Sequence, residues 1–267
     1  MFIFATDFIP DPDPDVTKNS PVFGQDTIVT AGNITATTSH PSYPASNMAN
    51  PATHLFWRGT GFTVEQLVVT QSRTVDYVGI AKHNLGTANI AVTVAVATDG
   101  VPTYTTIYGP TIPDDDAPIM VCFKERAATH VRVTLAAGDA IGQIAVLHAG
   151  KALFSPRRVY VGVTPITLGR VSRVTNGRSE AGNFLGRIVV GQGLTTSISL
   201  KNLHPLWYRN KLDPLIVQSK EYPFFFAWRP YTYPNELAYA WTSNDPKPVN
   251  TMSNGFMQID LELSGIA

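Results

Sequence analysis

Short runs in which bulky apolar residues alternate with small or polar ones recur from about Thr27 to Gly150, and this pattern limits the fold more than any other feature. In Ile90–Ala97 the bulky residues occupy every second position, and His130–Leu135 repeats the arrangement. A period of two is that of a β-strand with one face on a core. Turns rich in Gly and Pro separate the runs, so the pattern predicts an antiparallel β-sandwich and not a parallel sheet.

The chain divides into three predicted segments. Residues 1–33 form an N-terminal extended arm and first strand, because Pro10, Pro12 and Pro14 alternate with aspartates and cannot donate to a sheet. Residues 34–152 hold the alternating runs and form the β-sandwich. Residues 153–267 form a smaller β-rich domain that is crowded with aromatic residues. Its one predicted helix runs from Leu206 to about Asp213, between two prolines. The predicted fold class is therefore all-β.

The charge balance argues against a polyanionic partner. Twenty Lys and Arg residues offset twenty Asp and Glu residues, and only 15% of the chain is charged. Without a net field to attract phosphates, we expect no nucleic acid partner. No run of eighteen apolar residues and no signal-peptide pattern occurs, so we expect a soluble protein made in a reducing cytoplasm, with no membrane insertion. Cys122 has no cysteine to pair with and is predicted to be a buried apolar side chain.

The sequence carries no motif of a known catalytic centre. It lacks HExxH, CxxC, GxSxG and GxxxxGK[ST], and its six histidines are scattered singly. We therefore expect no enzyme, no catalytic residues, no cofactor and no metal site. Asp114, Asp115 and Asp116 could offer oxygen ligands to calcium, but a solvated turn between two prolines explains them equally well.

A polar corner, His83-Asn84, follows one apolar run and is the first candidate for ligand binding. Imidazole and amide groups are good partners for sugar hydroxyls, although Asn before a turn also commonly holds the turn itself. Aromatic rings could stack on a sugar, and Tyr43, Tyr104 and Trp57 are candidates, each with a packing alternative. The predicted carbohydrate-binding set comprises His83, Asn84, Arg58, Tyr43 and Tyr104.

Five segments of residues 41–150 occur in a characteristic order: PASNMANPATHLFWRG (44–59), VDYVGIAKHNLG (75–86), IAVTVAVATDG (90–100), THVRVTLAAGDA (129–140) and IGQIAVLHAG (141–150). In this order they resemble the discoidin, or coagulation factor 5/8 type C, family of galactose-binding-like domains. The resemblance implies that residues 34–152 form a jelly roll whose loops gather at one end and often bind carbohydrate. It also implies that Trp57 packs inside. Met48-Ala49-Asn50 stands where the family commonly has Asp-Gly in its opening loop, so the resemblance does not extend to an ion bound there.

The C-terminal part resembles a different group of proteins. The segments WRPYTYPNELAYAW and NGFMQIDLELSGIA look like the ends of tailed-phage tail-tip and baseplate proteins. A jelly roll within such a chain is similar to distal-tail or minor tail proteins, including those of prophages and gene transfer agents. This resemblance implies a location in the virion tail.

These observations predict a structural virion protein that forms a ring at the tail tip or baseplate. Its low charge and many aromatic residues suit protein interfaces. The expected partners are other tail or baseplate proteins and further copies of the chain. The alternative is a carbohydrate-binding adhesin that recognises a host cell-surface polysaccharide, a role that the jelly roll could carry alone or within the tail.

Overall fold

The computed structural model describes residues 1–10, 16–100, 102–251 and 255–266. Strands make up nearly half of the described chain and are arranged in two sheets. The strands in chain order are β1 (Phe2–Phe4), β2 (Val22–Gly24), β3 (Ile34–Ala36), β4 (Trp57–Arg58), β5 (Glu65–His83), β6 (Val92–Ala97), β7 (Thr105–Thr111), β8 (Ile119–Leu135), β9 (Gln143–Gly150), β10 (Leu153–Phe154), β11 (Arg170–Arg178), β12 (Phe184–Leu203), β13 (Phe224–Ala227), β14 (Leu237–Thr242), β15 (Val249–Asn250) and β16 (Met257–Ile266).

The first sheet is built on the antiparallel pair β5 and β8. Breaks in register between Thr70 and Tyr77 divide this pairing into two parts. The first half of β5 pairs with β3 on one side. The half of β8 that faces it pairs with β6, and β6 pairs in turn with β7. The second half of β5 pairs with β9, which pairs with β4, and the facing half of β8 pairs with β1. We call these two parts the outer layer and the middle layer.

The two layers share one apolar core, which makes them a sandwich. Leu67 and Val133 of the outer layer and Ile80 and Val121 of the middle layer belong to the same buried cluster. Both long strands therefore pass from one layer to the other at the bend near residues 70–77. The end of the sandwich opposite this bend collects the loops around His83, and we call it the loop end.

The middle layer is buried on both of its faces. Tyr77, Met120 and Val146 point away from the sandwich core and pack with Phe225 and Tyr239 of the second sheet. Gly79 lies against the same ring, because a Cβ built there would approach Cε2 of Phe225 to 2.5 Å. The two sheets are thus joined through an apolar interface.

The second sheet is antiparallel and has the strand order β10-β2-β13-β14-β16-β12-β11, with β15 beside β16. Alternate residues of β13 and β14 face the middle layer, while Phe224, Phe226, Ala238 and Ala240 face a further core. Because both faces are covered, the sequence of β13 is apolar without alternation.

A helical segment covers the far face of the second sheet. It comprises α1 (Pro205–Trp207), a π-helical turn (Tyr208–Leu212) and α2 (Asp213–Gln218). The predicted helix end near Asp213 was wrong, because the chain continues past Pro214 to Gln218. Proline lacks the amide hydrogen for an i to i−4 bond, and the wider π turn before it accommodates that loss.

The all-β prediction, a jelly-roll sandwich plus a smaller β-rich unit with one short helical region, is confirmed by this topology. Within the predicted arm, Phe2–Phe4 pairs with the middle layer and Val22–Gly24 belongs to the second sheet. Of the three prolines on which that prediction depended, Pro12 and Pro14 lie outside the described residues. Cys122 is buried and unpaired, as predicted.

Candidate functional site

His83 ends β5 inside the protein and not on its surface. Only 6% of the residue is exposed. The Leu85 amide donates to Nδ1 at 3.2 Å, so Nε2 carries the proton and donates to the Ala117 carbonyl at 2.9 Å. Burial lowers the pKa of His83 to about 4, so the ring is neutral at neutral pH. Both ring nitrogens are engaged within the protein, so a ligand would have to displace one of these hydrogen bonds, and ligand binding by His83 stays a prediction.

Asn84 ties the corner to the start of β9. Its Oδ1 accepts from the Gln143 amide at 2.8 Å, and its Nδ2 donates to the Ile141 carbonyl at 2.9 Å. The alternative considered from the sequence was a local turn held by the residue's own backbone. The structure has this turn, because the Asn84 carbonyl accepts from the Ala88 amide at 2.9 Å, and it adds a side-chain bridge to a segment 57 residues further along the chain. A ligand could use the Asn84 side-chain amide only by displacing that bridge, and ligand binding by Asn84 stays a prediction.

Arg58 and Tyr43 do lie together at the loop end. The Tyr43 ring stacks on Phe56 with centroids 4.5 Å apart and planes 12° apart, and the His40 ring lies 5.2 Å away. The Arg58 amide donates to the Tyr43 carbonyl at 3.2 Å. We call His40, Tyr43, Phe56 and Arg58 the rim patch. Each is partly exposed, so the patch offers partly exposed aromatic surface.

Trp57 is part of the core, as the family resemblance implied. It is fully buried, and its indole nitrogen donates to the Thr38 carbonyl at 3.0 Å. The packing alternative for this residue is therefore the correct one.

Tyr104 lies at the opposite end of the sandwich. Tyr104 directly precedes Thr105, which pairs with Val96. The residue after Val96, Ala97, pairs with His130 near the bend. His83, in contrast, pairs with Ile144 at the loop end. The guanidinium of Arg132 sits 3.8 Å from the centroid of the Tyr104 ring, a cation–π contact. The five predicted residues therefore do not form one site.

A cleft of about 770 Å³ opens where the bend of the sandwich meets the helical segment. Asp76, Glu125 and Lys151 line one side, and Trp207 and Lys211 line the other. This volume falls within the range of small-molecule sites. Sequence reasoning missed the cleft because its residues come from segments that are far apart along the chain.

The Asp76 carboxyl is the most perturbed acid of the cleft. Its Oδ1 accepts from the Ala152 amide at 2.7 Å. Burial raises its pKa to about 7, with a smaller increase from Glu125 and Asp26, while the Ala152 amide and Lys151 oppose the rise. Near pH 7 the carboxyl is about half protonated and can both donate and accept, which suits a ligand rich in hydroxyl groups.

Within the acidic run at the loop end, Asp116 serves the fold. Oδ1 of Asp116 accepts from the amides of Gly86 and Thr87, and its Oδ2 accepts from the Thr87 hydroxyl at 2.8 Å. In the part of the chain that the structure describes, no group of three or more His, Cys, Asp or Glu residues is placed to hold a metal ion.

Among the described residues, no helix is long and apolar enough to span a membrane.

A third surface is a two-stranded ribbon that projects from the second sheet. We define the ribbon as residues 170–193, comprising β11, the connecting turn and the first half of β12. Six large apolar side chains on it are at least half exposed: Val171, Phe184, Leu185, Ile188, Val189 and Val190. Cross-strand pairing places Ile188 and Val189 on opposite faces, so both faces of the ribbon are apolar.

No protein-family model matches the chain, and neither does a curated protein. Solved structures similar to about half of it include several carbohydrate-binding modules and a fucosidase of Ruminococcus gnavus. They include chitosan-binding module 1 from the chitosanase/glucanase of Paenibacillus sp. IK-5 (21% identity, 46% of this chain, 98% of that one, TM-score 0.42). A second is the family 32 module of Clostridium perfringens NanJ in complex with galactose (18% identity, 48% and 98%, TM-score 0.40). At TM-scores below 0.5, these similarities carry no argument about function.

Proposed function

We propose that this protein is a structural subunit of a tailed-phage tail tip or baseplate, or of the related particle of a prophage or gene transfer agent. In this role it joins a ring of identical subunits and other baseplate proteins. The likeness of its C-terminal segments to tail-tip proteins motivates the proposal. The single observation that carries it is the exposed apolar ribbon.

The ribbon supports an assembly role for a physical reason. Two strands without a covered face are marginally stable in water, and contiguous exposed apolar surface marks interaction sites. Four arginines accompany the apolar residues of the ribbon, and arginine is enriched in protein interfaces. A subunit that is buried in an assembly would cover this surface, whereas a free monomer would leave it in water.

Mass spectrometry and immunogold electron microscopy of purified tailed particles test the proposal. The particles are to be prepared from the organism that encodes the chain. The protein should be found in them, with antibody label confined to the tail tip. Antibody absorbed beforehand with the purified protein provides the control. Particles that lack the protein, or that are labelled only on the capsid, would contradict the proposed function.

A second candidate function is a carbohydrate-binding adhesin for a host cell-surface polysaccharide. The cleft favours it, because Asp76 can both donate and accept and Trp207 can stack on a sugar ring. The rim patch offers a second stacking surface in Tyr43 and Phe56.

Glycan binding by calorimetry separates the two surfaces. If the cleft binds, Trp207→Ala should weaken affinity about tenfold or more, while Tyr43→Ala leaves it unchanged; the reverse result would assign the site to the rim patch. Wild-type protein that binds no glycan of a broad panel would refute the adhesin function.

A further inference from the structure

The ribbon differs in charge from the rest of the molecule. It contains Arg170, Arg173, Arg178 and Arg187 but only one acidic residue, Glu180. The whole chain has no net charge, so the remainder is acidic by the same amount. A partner for the ribbon should therefore combine apolar contact with negative charge.

The second sheet itself offers such a surface. Asp260 and Glu262 point outward from β16, and Trp241 of the neighbouring β14 is 40% exposed on the same side. Asp260 contacts Gln258, and Glu262 accepts from Asn244 at 2.8 Å. None of the ion pairs formed within the described residues involves either carboxylate. We call Asp260, Glu262 and Trp241 the acidic face.

The ribbon tip cannot reach the acidic face of its own chain. Glu262 pairs in register with Ser197, and Arg187 lies ten residues earlier along β12. At about 3.3 Å per residue, the two positions are separated by roughly 33 Å along a strand. A contact between them therefore requires two molecules.

We infer that the ribbon of one copy docks on the acidic face of a second copy. This inference rests on the proposed function of an assembly subunit and names the contact. A symmetric contact of ribbon with ribbon would instead bring the arginines of both copies together, and like charges oppose association. Docking of one patch on a different patch is head-to-tail, so it closes into a ring or continues as a filament.

Charge reversal tests the contact in the full chain. One double variant, Arg173→Glu with Arg187→Glu, reverses two charges on the ribbon. The other, Asp260→Lys with Glu262→Lys, reverses both charges on the acidic face. All four residues are exposed, so circular dichroism should show an unchanged fold. In analytical ultracentrifugation over a concentration series, the wild type should self-associate, and each double variant should do so about tenfold or more weakly. Asp114→Lys with Asp115→Lys, at the loop end, is the matched control and should associate as the wild type does.

An equimolar mixture of the two double variants gives the sharpest result. In the mixture an intact ribbon can dock on an intact face and a reversed ribbon on a reversed face, so the two variants should associate again, with the two chains alternating. The chain that carries all four reversals should associate again, because the charges are complementary once more. A monomeric wild type, a face variant that assembles normally, or a mixture that stays monomeric would overturn the inference.

The two proposals fail separately. If the protein occurs at the tail tip but is monomeric when purified, the docking inference is wrong and the proposed function stands. If charge reversal behaves as expected but no tailed particle contains the protein, the docking contact stands and the proposed function is wrong.

Discussion

At the scale of single residues, burial determines what the polar groups of this protein do. His83 and Asn84 looked like ligand contacts because their side chains suit hydroxyl groups, yet both are used to join loops. Asp76 is a different case, because one of its oxygens is bound by an amide and the residue lines a cleft. Chemical type was readable from the sequence, whereas the surroundings of each group were not.

The Asp76→Asn variant should be more stable than the wild type at pH 8. In the folded protein the pKa of the Asp76 carboxyl is about 7, above its ordinary value of 3.8. The stability that the protonated carboxyl contributes is therefore fully present below about pH 4, and it is lost as the pH rises through 7 because the buried group ionises. Asparagine avoids that loss and can still accept from the Ala152 amide. We expect a gain on the order of 4 kcal/mol at pH 8 and none below pH 4, measured by urea unfolding. Asp114→Asn, at an exposed position, is the matched control and should change stability by less than about 0.5 kcal/mol.

The Asn84→Ala variant should lose about 1–3 kcal/mol of unfolding free energy, because it leaves the Gln143 amide and the Ile141 carbonyl without their partner. Thermal or urea denaturation measures the loss. Asn210→Ala, at an exposed position of the helical segment, is the matched control and should change stability by less than about 0.5 kcal/mol. Equal effects of the two substitutions would contradict the structural role of Asn84.

At the scale of elements, the middle layer depends on a close approach between two sheets. Gly79→Ala should lower the free energy of unfolding by at least about 1–3 kcal/mol, because the added Cβ would stand 2.5 Å from Cε2 of the buried Phe225. Gly32→Ala is the control, because no atom lies within 4 Å of a Cβ there. Unfolding in urea compares the two. A neutral Gly79→Ala would mean that the sheets pack less closely.

The element predictions from sequence succeeded where local pattern dominates. Period-two alternation identified β6 and the last part of β8, although the structure extends β8 back to Ile119. β7 was missed because Thr105–Thr111 carries little apolar alternation and is held by pairing with β6. Pairing partners and bends depend on contacts between distant segments, which a single sequence does not display.

The candidate sites were less predictable than the fold. The family resemblance correctly implied that Trp57 is internal and grouped the His83 loop with that of Tyr43 at one end. It could not show that Tyr104 lies at the other end, because that depends on the register of β7 against β6. The cleft requires the helical segment to meet the sandwich bend, a contact between units that share no motif.

At the scale of the whole molecule, the two sheets should unfold together. Removing residues 153–267 would expose Tyr77, Met120 and Val146, which now pack on Phe225 and Tyr239. We expect residues 1–152 alone to aggregate or to bind the dye ANS, and the full chain to unfold in one transition. Size-exclusion chromatography and calorimetry test this expectation. A monomeric, dye-free fragment would contradict it.

The middle layer has no side that faces solvent, and this has an evolutionary consequence. A change of volume at one of its outward positions must be matched in the second sheet, and a change at an inward position must be matched in the outer layer. Substitutions there should therefore accumulate in correlated pairs and more slowly than in the ribbon. Among descendants of this chain, the middle layer should be the part whose sequence diverges last.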